Sequence, residues 1–364
     1  MPFDRGAITM TIFELPAGLP EDYLARFSDK AAGTLDSVTE ELQAGWVSGR
    51  CLLETTIDST TSIAGDGCMV TLRKAVRRIP AGLLTAMLKR EEIVWRKANE
   101  KDYTPGGVRR ELRAEIIEKN IQKFPPSVSG TTMWIDPATG AIYVSAVSQN
   151  AIDEIIGAFV STMEVEPLPF DHELLLRRNF DKSCAEFPAI ELKKGVPAGS
   201  FIGRDFLTWL WFFHESGGVF HSDEIGDVEI SLDGPLSFAG DDPECNGSAE
   251  TVVKKGENPL RSAEAKAAFE VGKKLRKAKL LIARDTQMWS LNFDADRFNF
   301  SSLRLPEGEK LDFDSSMAER LENLDVFKRI VELAFNTFAK AMLGPDGAKE
   351  AAAVREWASH LEGV

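Results

Sequence analysis

The sequence is poor in the residues that most often declare chemistry. Its 364 residues include only four histidines and four cysteines. Cys51, Cys68, Cys184 and Cys245 form no C-x-x-C pair, and no histidine stands at zinc-ligand spacing from them. Reduced thiols, no structural metal and no cofactor are therefore expected. Long apolar runs are missing too: "FLTWLWFF", Phe206 to Phe213, falls far short of the roughly 20 residues that span a bilayer. The N-terminus, "MPFDRGAITMTIFELP", lacks the basic start, apolar stretch and small-residue cleavage site of a secretory signal, so a cytoplasmic protein without a membrane partner is expected. There is no P-loop, G-x-G-x-x-G, G-x-S-x-G or H-E-x-x-H, and no repeat of fixed period.

What is present is the composition of a folded protein, 43% hydrophobic and 27% charged, long enough for two or three domains and a substantial core. The net charge of −14, from 43 basic and 57 acidic residues, argues by itself against a polyanionic partner. That average conceals segregation. Arg73 to Lys123 holds fourteen Lys/Arg against seven Asp/Glu, and Lys254 to Arg284 holds ten against three, each a local +7 that leaves −28 elsewhere.

Periodicity predicts an α+β chain of mixed antiparallel sheets and long helices. "AITMTIFELP", "GWVSGRCLLETTI" and "GCMVTLRKAVRRIP" read as strands, and "PEDYLARFSDKAAGTL" as a helix opened by proline and two acids. Pro80 opens a helix to about Lys101, with Leu84, Met87, Leu88, Val94, Trp95 and Ala98 at helical spacing. Its Lys89/Arg96 and Arg90/Lys97 pairs are seven apart, each pair sharing a stripe. A second helix, about Val108 to Lys123, turns Val108, Leu112 and Ile116 inward and Arg109, Arg110 and Arg113 outward.

"TTMWID" and "AIYVSAV", joined by "PATG", predict a hairpin in which Asp136 accepts backbone N–H groups of the turn. A helix with Asn150 as N-cap follows, then "VEPLPF", whose two prolines suggest a boundary after residue 170. "RDFLTWLWFFHESGG" reads as a buried helix, and Asp233 to Thr251 as an exposed excursion. Lys266 to Lys279, "KAAFEVGKKLRKAK", reads as a basic helix, followed by strands "LLIAR" and "MWSLNF". The next helix runs to Gly344 with Ser316 and Glu319 as a capping box, and an amphipathic tail helix follows. The expected regions are thus 1–170, 171–343 and 344–364.

Sites of chemistry are sparse. "AGSFIG" around Ser200 has the wrong glycine spacing for a nucleophile elbow, "GDDPEC" reads as a solvated acidic loop, and His214 and His221 read as structural. The alternative is a metal-dependent nuclease, with Asp136, Asp241 and Asp242 as the obvious carboxylates. A protein-interaction scaffold remains open as well, because Lys/Arg runs on a helix often do no more than solvate it. Two separate cationic segments in an acidic protein also suit contacts to a phosphate backbone.

"GWV" at Gly45, "LRKAVRRIP" with the charged helix after it, "TTMWIDPATGAIYVSAVS" and "VEPLPF" occur in an order and spacing that resemble the recombination-associated protein RdgC family, most clearly over about Gly45 to Phe170. The resemblance implies a ring-shaped homodimer of two curved α+β subunits around a basic hole. It further implies a nucleoid-associated, non-enzymatic protein that encircles double-stranded DNA with little sequence preference and competes with RecA-type recombinase. By position it assigns Arg96, Lys97, Lys254 and Lys255 to phosphate contacts, joined from the charge pattern by Lys89, Arg90, Lys273 and Lys274. Phe124, followed by Pro125-Pro126, stands nearest to the family's aromatic dimer contact.

Overall fold

Alternating burial organises the strands. In Gln287–Asp294, Trp289, Leu291 and Phe293 are buried while Met288 and Asn292 are exposed, and Val228, Ile230 and Leu232 repeat the pattern in Gly226–Ala239. The computed structural model describes residues 2–193, 201–240, 249–254, 259–308 and 312–360. It divides into a larger unit, Met1–Pro20, Ile63–Cys68 and Met133–Val364, and a smaller one, Glu21–Ser62 and Met69–Thr132. The "VEPLPF" segment lies inside the larger unit, where Phe13 and Glu14 pair with Pro169 and Leu168, so the expected boundary at 170 does not separate the two units.

The larger unit is built on antiparallel strands in the order Glu250–Val253, Gly226–Ala239, Lys274–Arg284, Gln287–Asp294, Asn299–Arg304, Ile8–Glu14, Ala141–Val144 and the end of Ser127–Ile135. Helix Ile202–Glu215 lies against Gly226–Ala239 and Lys274–Arg284, buried without a break from Ile202 to Trp211 as its apolar sequence predicts. Helix Phe313–Leu343 adds Phe335 and Phe338, which meet Phe206 at 5.4 and 5.6 Å. The tail helix Gly347–Ser359 buries Val354 and Ala358 and sets Trp357 edge-on to Trp211.

Several local expectations are corrected. The basic helix Lys266 to Lys279 is a short helix, Ala263–Glu270, followed by a strand from Lys274. Gly272, at φ +84°, makes the break that a side chain would strain. Asp233 to Ala239 belongs to a strand with Leu236 and Phe238 buried rather than to an exposed excursion, while 241–248 lie outside the described residues. Ser148, not Asn150, occupies the N-cap of Gln149–Met163. Phe313–Leu343 is capped by Asp312, whose carboxylate accepts from the N–H groups of Asp314 and Ser315, so Ser316 and Glu319 fall inside the helix.

In the smaller unit, Gln43–Ser48 pairs antiparallel with Gly67–Val76, Trp46 opposite Leu72. The "GWV" motif has a steric cause: a Cβ on Gly45 would stand 2.6 Å from the Cα of Ala32, whose N–H donates to the Trp46 carbonyl. Helices Ala81–Ala98 and Gly106–Asn120 pack through Leu88, Ile116 and Ile121 with Ile79, and Phe124 is half-buried against this cluster. Among the described residues no helix is long and apolar enough to cross a membrane.

Candidate nucleic-acid interface

The first cationic segment divides into an internal and an external set. Arg73 and Arg77 are buried. Arg73 donates to the carbonyls of Gly33 and Leu52, and Arg77 to those of Phe124 at 2.8 Å and Leu35 at 2.9 Å. Their guanidinium groups are thereby spent on backbone carbonyls inside this unit. The remaining cations belong to the helix pair. Pro80 and Pro105 precede the two helices, and their fixed φ favours starting a helix just after them. Because the inward positions are apolar at helical spacing, Lys89, Arg90, Lys97, Arg109, Arg110 and Arg113 are exposed, as the sequence predicts.

Some of these charges are already matched. Arg109 meets Glu92 at 2.9 Å across the two helices, and Arg90 meets its neighbour Glu91 at 3.0 Å. Arg96 is half-buried and positional: its guanidinium donates to the carbonyls of Glu92 and Asp102, both at 3.3 Å, tying the helix end to the following loop. Lys97 is exposed in the last turn, where the helix dipole favours a cation. Ile93, Arg96, Lys97, Glu100, Lys101 and Asp102 line a depression of about 320 Å³ at this end, and the Lys101 ammonium lies 5.6 Å from the Trp95 ring centre. Lys101 sits beyond the last helical turn, and the sequence reading by helical stripes passed over it.

The second cationic segment is largely neutralised inside its own unit. Lys273 and Lys274 are buried, which corrects their expected role as phosphate contacts. Lys273 donates to Thr251 Oγ1 at 2.7 Å, and Lys274 meets Asp205 at 2.6 Å. Next along the strand, Arg276 reaches Asp296 at 3.0 Å, Lys277 Asp294 at 2.9 Å and Lys279 Asp233 at 2.9 Å. Arg204 completes the group with a bidentate pair to Asp296, at 2.7 and 2.8 Å. Lys254 is exposed just after Glu250–Val253, and Lys255 lies outside the described residues.

The carboxylates of the nuclease alternative are equally specific. Asp136 holds the hairpin: one oxygen accepts from the Ala138 N–H at 2.8 Å, the other from the Thr139 hydroxyl at 2.7 Å, while its backbone pairs with Ala141 and Gly140. It borders a cleft of about 500 Å³ with Asp66, Glu319, Glu322 and Asp325, an acidic wall that repels phosphate. Asp241 and Asp242 lie outside the described residues. Among the described residues, no group of three His, Cys, Asp or Glu side chains is spaced to hold a metal ion.

Comparison with known proteins bears on the part of the chain that carries the helix pair. Residues 13–174 match a family model described as "Putative exonuclease, RdgC". The recombination-associated protein RdgC of Bordetella pertussis and that of Bordetella bronchiseptica are each 27% identical over 158 residues, which cover 42% of this chain and 47% of the relative. The chain thus matches about half the length of these curated relatives. The GWV strand, the cationic helix pair and the Asp136 hairpin all lie inside the matched span, so the similarity of residues 13–174 to the RdgC family covers the part of the chain that carries them.

Proposed function

We propose that this chain is a non-enzymatic protein that binds double-stranded DNA through the phosphate backbone, without sequence preference. The observation that carries this reading is the exposed cationic face of Ala81–Ala98 and Gly106–Asn120 in a chain of net charge −14. Cations on the outer faces of helices, away from any catalytic group, release counterions from DNA and read no bases. Lys89, Arg90 and Lys97 are the principal contacts, Arg110 and Arg113 extend them, and Lys254 adds a contact from the larger unit. Arg96 acts mainly by fixing the loop beside Lys97.

The recombination association of the RdgC relatives supports a role in homologous recombination. There the chain occupies DNA and so opposes RecA-type filaments, as a nucleoid-associated ring-shaped homodimer. Since Phe124 is half-buried in its own unit, a dimer contact there uses only the exposed part of its ring. The test is duplex binding as a function of salt on circular and linear DNA. Tight, sequence-indifferent binding with a steep salt slope is expected; no binding at low ionic strength would favour a protein-interaction scaffold instead.

The description of the matching family model favours a second reading, a nuclease. Incubating duplex DNA with Mg²⁺ separates the two. Cleavage that survives purification and disappears in Asp242→Ala would replace the binding protein with an enzyme.

A further inference from the structure

The loop between the two cationic helices carries an aromatic ring that its own fold does not use. Tyr103 is 69% exposed, and among the described residues its hydroxyl makes no hydrogen bond and its ring stacks on no other aromatic ring. Tyrosine is ordinarily half-buried, its ring packed and its hydroxyl bonded, so a bare ring in an ordered place invites a ligand. The place is ordered. Asn99 closes the helix by donating to the Trp95 carbonyl, Glu100 takes the left-handed conformation at φ +50°, the Lys101 N–H donates to the Arg96 carbonyl at 3.0 Å, and Arg96 holds the Asp102 carbonyl. Just before Tyr103 in the chain, Arg96, Lys97 and Lys101 line a depression together with Ile93, Glu100 and Asp102, three cations against two carboxylates, and Ile93 and Val94 are exposed.

We infer that this end of the helix pair is a stacking site for unpaired nucleobases, with Tyr103 as the platform and Lys97 and Lys101 holding the flanking phosphates. The inference rests on the DNA-binding reading and extends it from duplex backbone to single-stranded segments. Its basis is complementarity of two kinds at one spot. The cations match phosphate charge, and an exposed ring matches the flat face that a base presents only when it is out of the duplex. A lipid surface fits less well. An interfacial helix needs a continuous apolar face, whereas here Arg90 and Lys97 interrupt the stripe of Leu83, Ile93 and Val94.

The experiment compares the full chain and its Tyr103→Ala, Tyr103→Phe and Tyr103→Leu variants. Binding to oligothymidylate and to a blunt duplex of equal length is followed by fluorescence anisotropy, with far-ultraviolet circular dichroism as the folding control. Tyr103→Ala is expected to bind oligothymidylate roughly tenfold more weakly while duplex affinity changes less than about twofold. Tyr103→Phe restores the single-strand affinity, because stacking needs the ring and not the hydroxyl, and Tyr103→Leu does not. Equal loss on both ligands, no loss on either, or rescue by leucine overturns the inference. So does wild-type binding to the duplex alone, which leaves the duplex reading standing. If the wild type binds neither DNA but does bind phosphatidylserine vesicles in a Tyr103-dependent way, the DNA-binding reading fails with it and the patch is a lipid contact.

Discussion

The Lys274 ammonium meets the Asp205 carboxylate at 2.6 Å, with the two side chains 3% and 2% exposed. The pair joins the start of helix Ile202–Glu215 to strand Lys274–Arg284, and Asp205 Oδ2 also accepts from the Ile190 N–H. Removing one partner of a buried ion pair leaves the other charge desolvated, at a cost of about 3–5 kcal/mol. Lys274→Ala should therefore lower the unfolding free energy by about that much in urea titration. The double variant Asp205→Asn/Lys274→Met, which removes both charges, should recover a substantial part of the loss. Where Lys274→Ala stays folded, its duplex affinity should equal that of the wild type; an affinity loss without a stability loss would return Lys274 to the surface.

This pair also explains where reading the sequence succeeded and where it stopped. The helix pair was legible because most of its apolar positions recur at helical spacing, so the cations between them had to face outward; Val94, read with the inward stripe, is instead 57% exposed. In "KKLRKAKLLIAR" the alternation of a strand is broken by register shifts between Leu275 and Lys277 and again between Lys277 and Lys279. A bulge moves side chains to the other face, and the local pattern then imitates a helix seam. The acids that neutralise this strand, Asp205, Asp233, Asp294 and Asp296, come from a helix, two other strands and the turn after one of them, and no short window along the chain brings all four together. Asp136, whose partners lie two and three residues away, was legible for the opposite reason.

Asp136 should behave as a structural residue. Asp136→Ala removes both acceptors of the turn and is expected to cost about 1–2 kcal/mol, as other lost capping carboxylates do. Its effect should appear in the denaturation midpoint while duplex affinity is unchanged. Asp136→Asn, which keeps one carbonyl oxygen, should lose less. A variant of unaltered stability with altered DNA processing would assign the carboxylate to chemistry instead.

Acid should weaken the larger unit through His172. Burial against Phe298 and Phe335 pushes its imidazole from the ordinary 6.5 down to about 4, although the Asp296 carboxylate pulls in the opposite direction. Above pH 6.5 the ring is neutral folded and unfolded, and its contribution is fully present. Between there and pH 4 the unfolded chain takes up a proton that the folded chain refuses, so stability falls with pH, by about 3 kcal/mol in total. Since carboxylates titrate in the same range, the readout is a difference: urea titrations at several pH values should give His172→Gln a shallower decline than the wild type. Parallel declines would mean that His172 is protonated in the folded state.

Lys97 and Lys274 make the sharpest contrast for the DNA-binding reading, since both are lysines of cationic segments and only one is exposed. A phosphate contact contributes affinity by releasing about one counterion, without regard to the bases beside it. Lys97→Ala should therefore weaken duplex binding about equally on unrelated sequences and reduce the slope of log affinity against log salt by about one unit. Lys89→Ala should do the same, and the two losses should add, because the residues lie more than two helical turns apart on Ala81–Ala98 and share no partner. Folding stability should be unchanged in both, the reverse of Lys274→Ala. Anisotropy titrations across a salt series on two unrelated duplexes supply every term of the comparison. A slope unaltered in both variants would move the contact surface away from this helix.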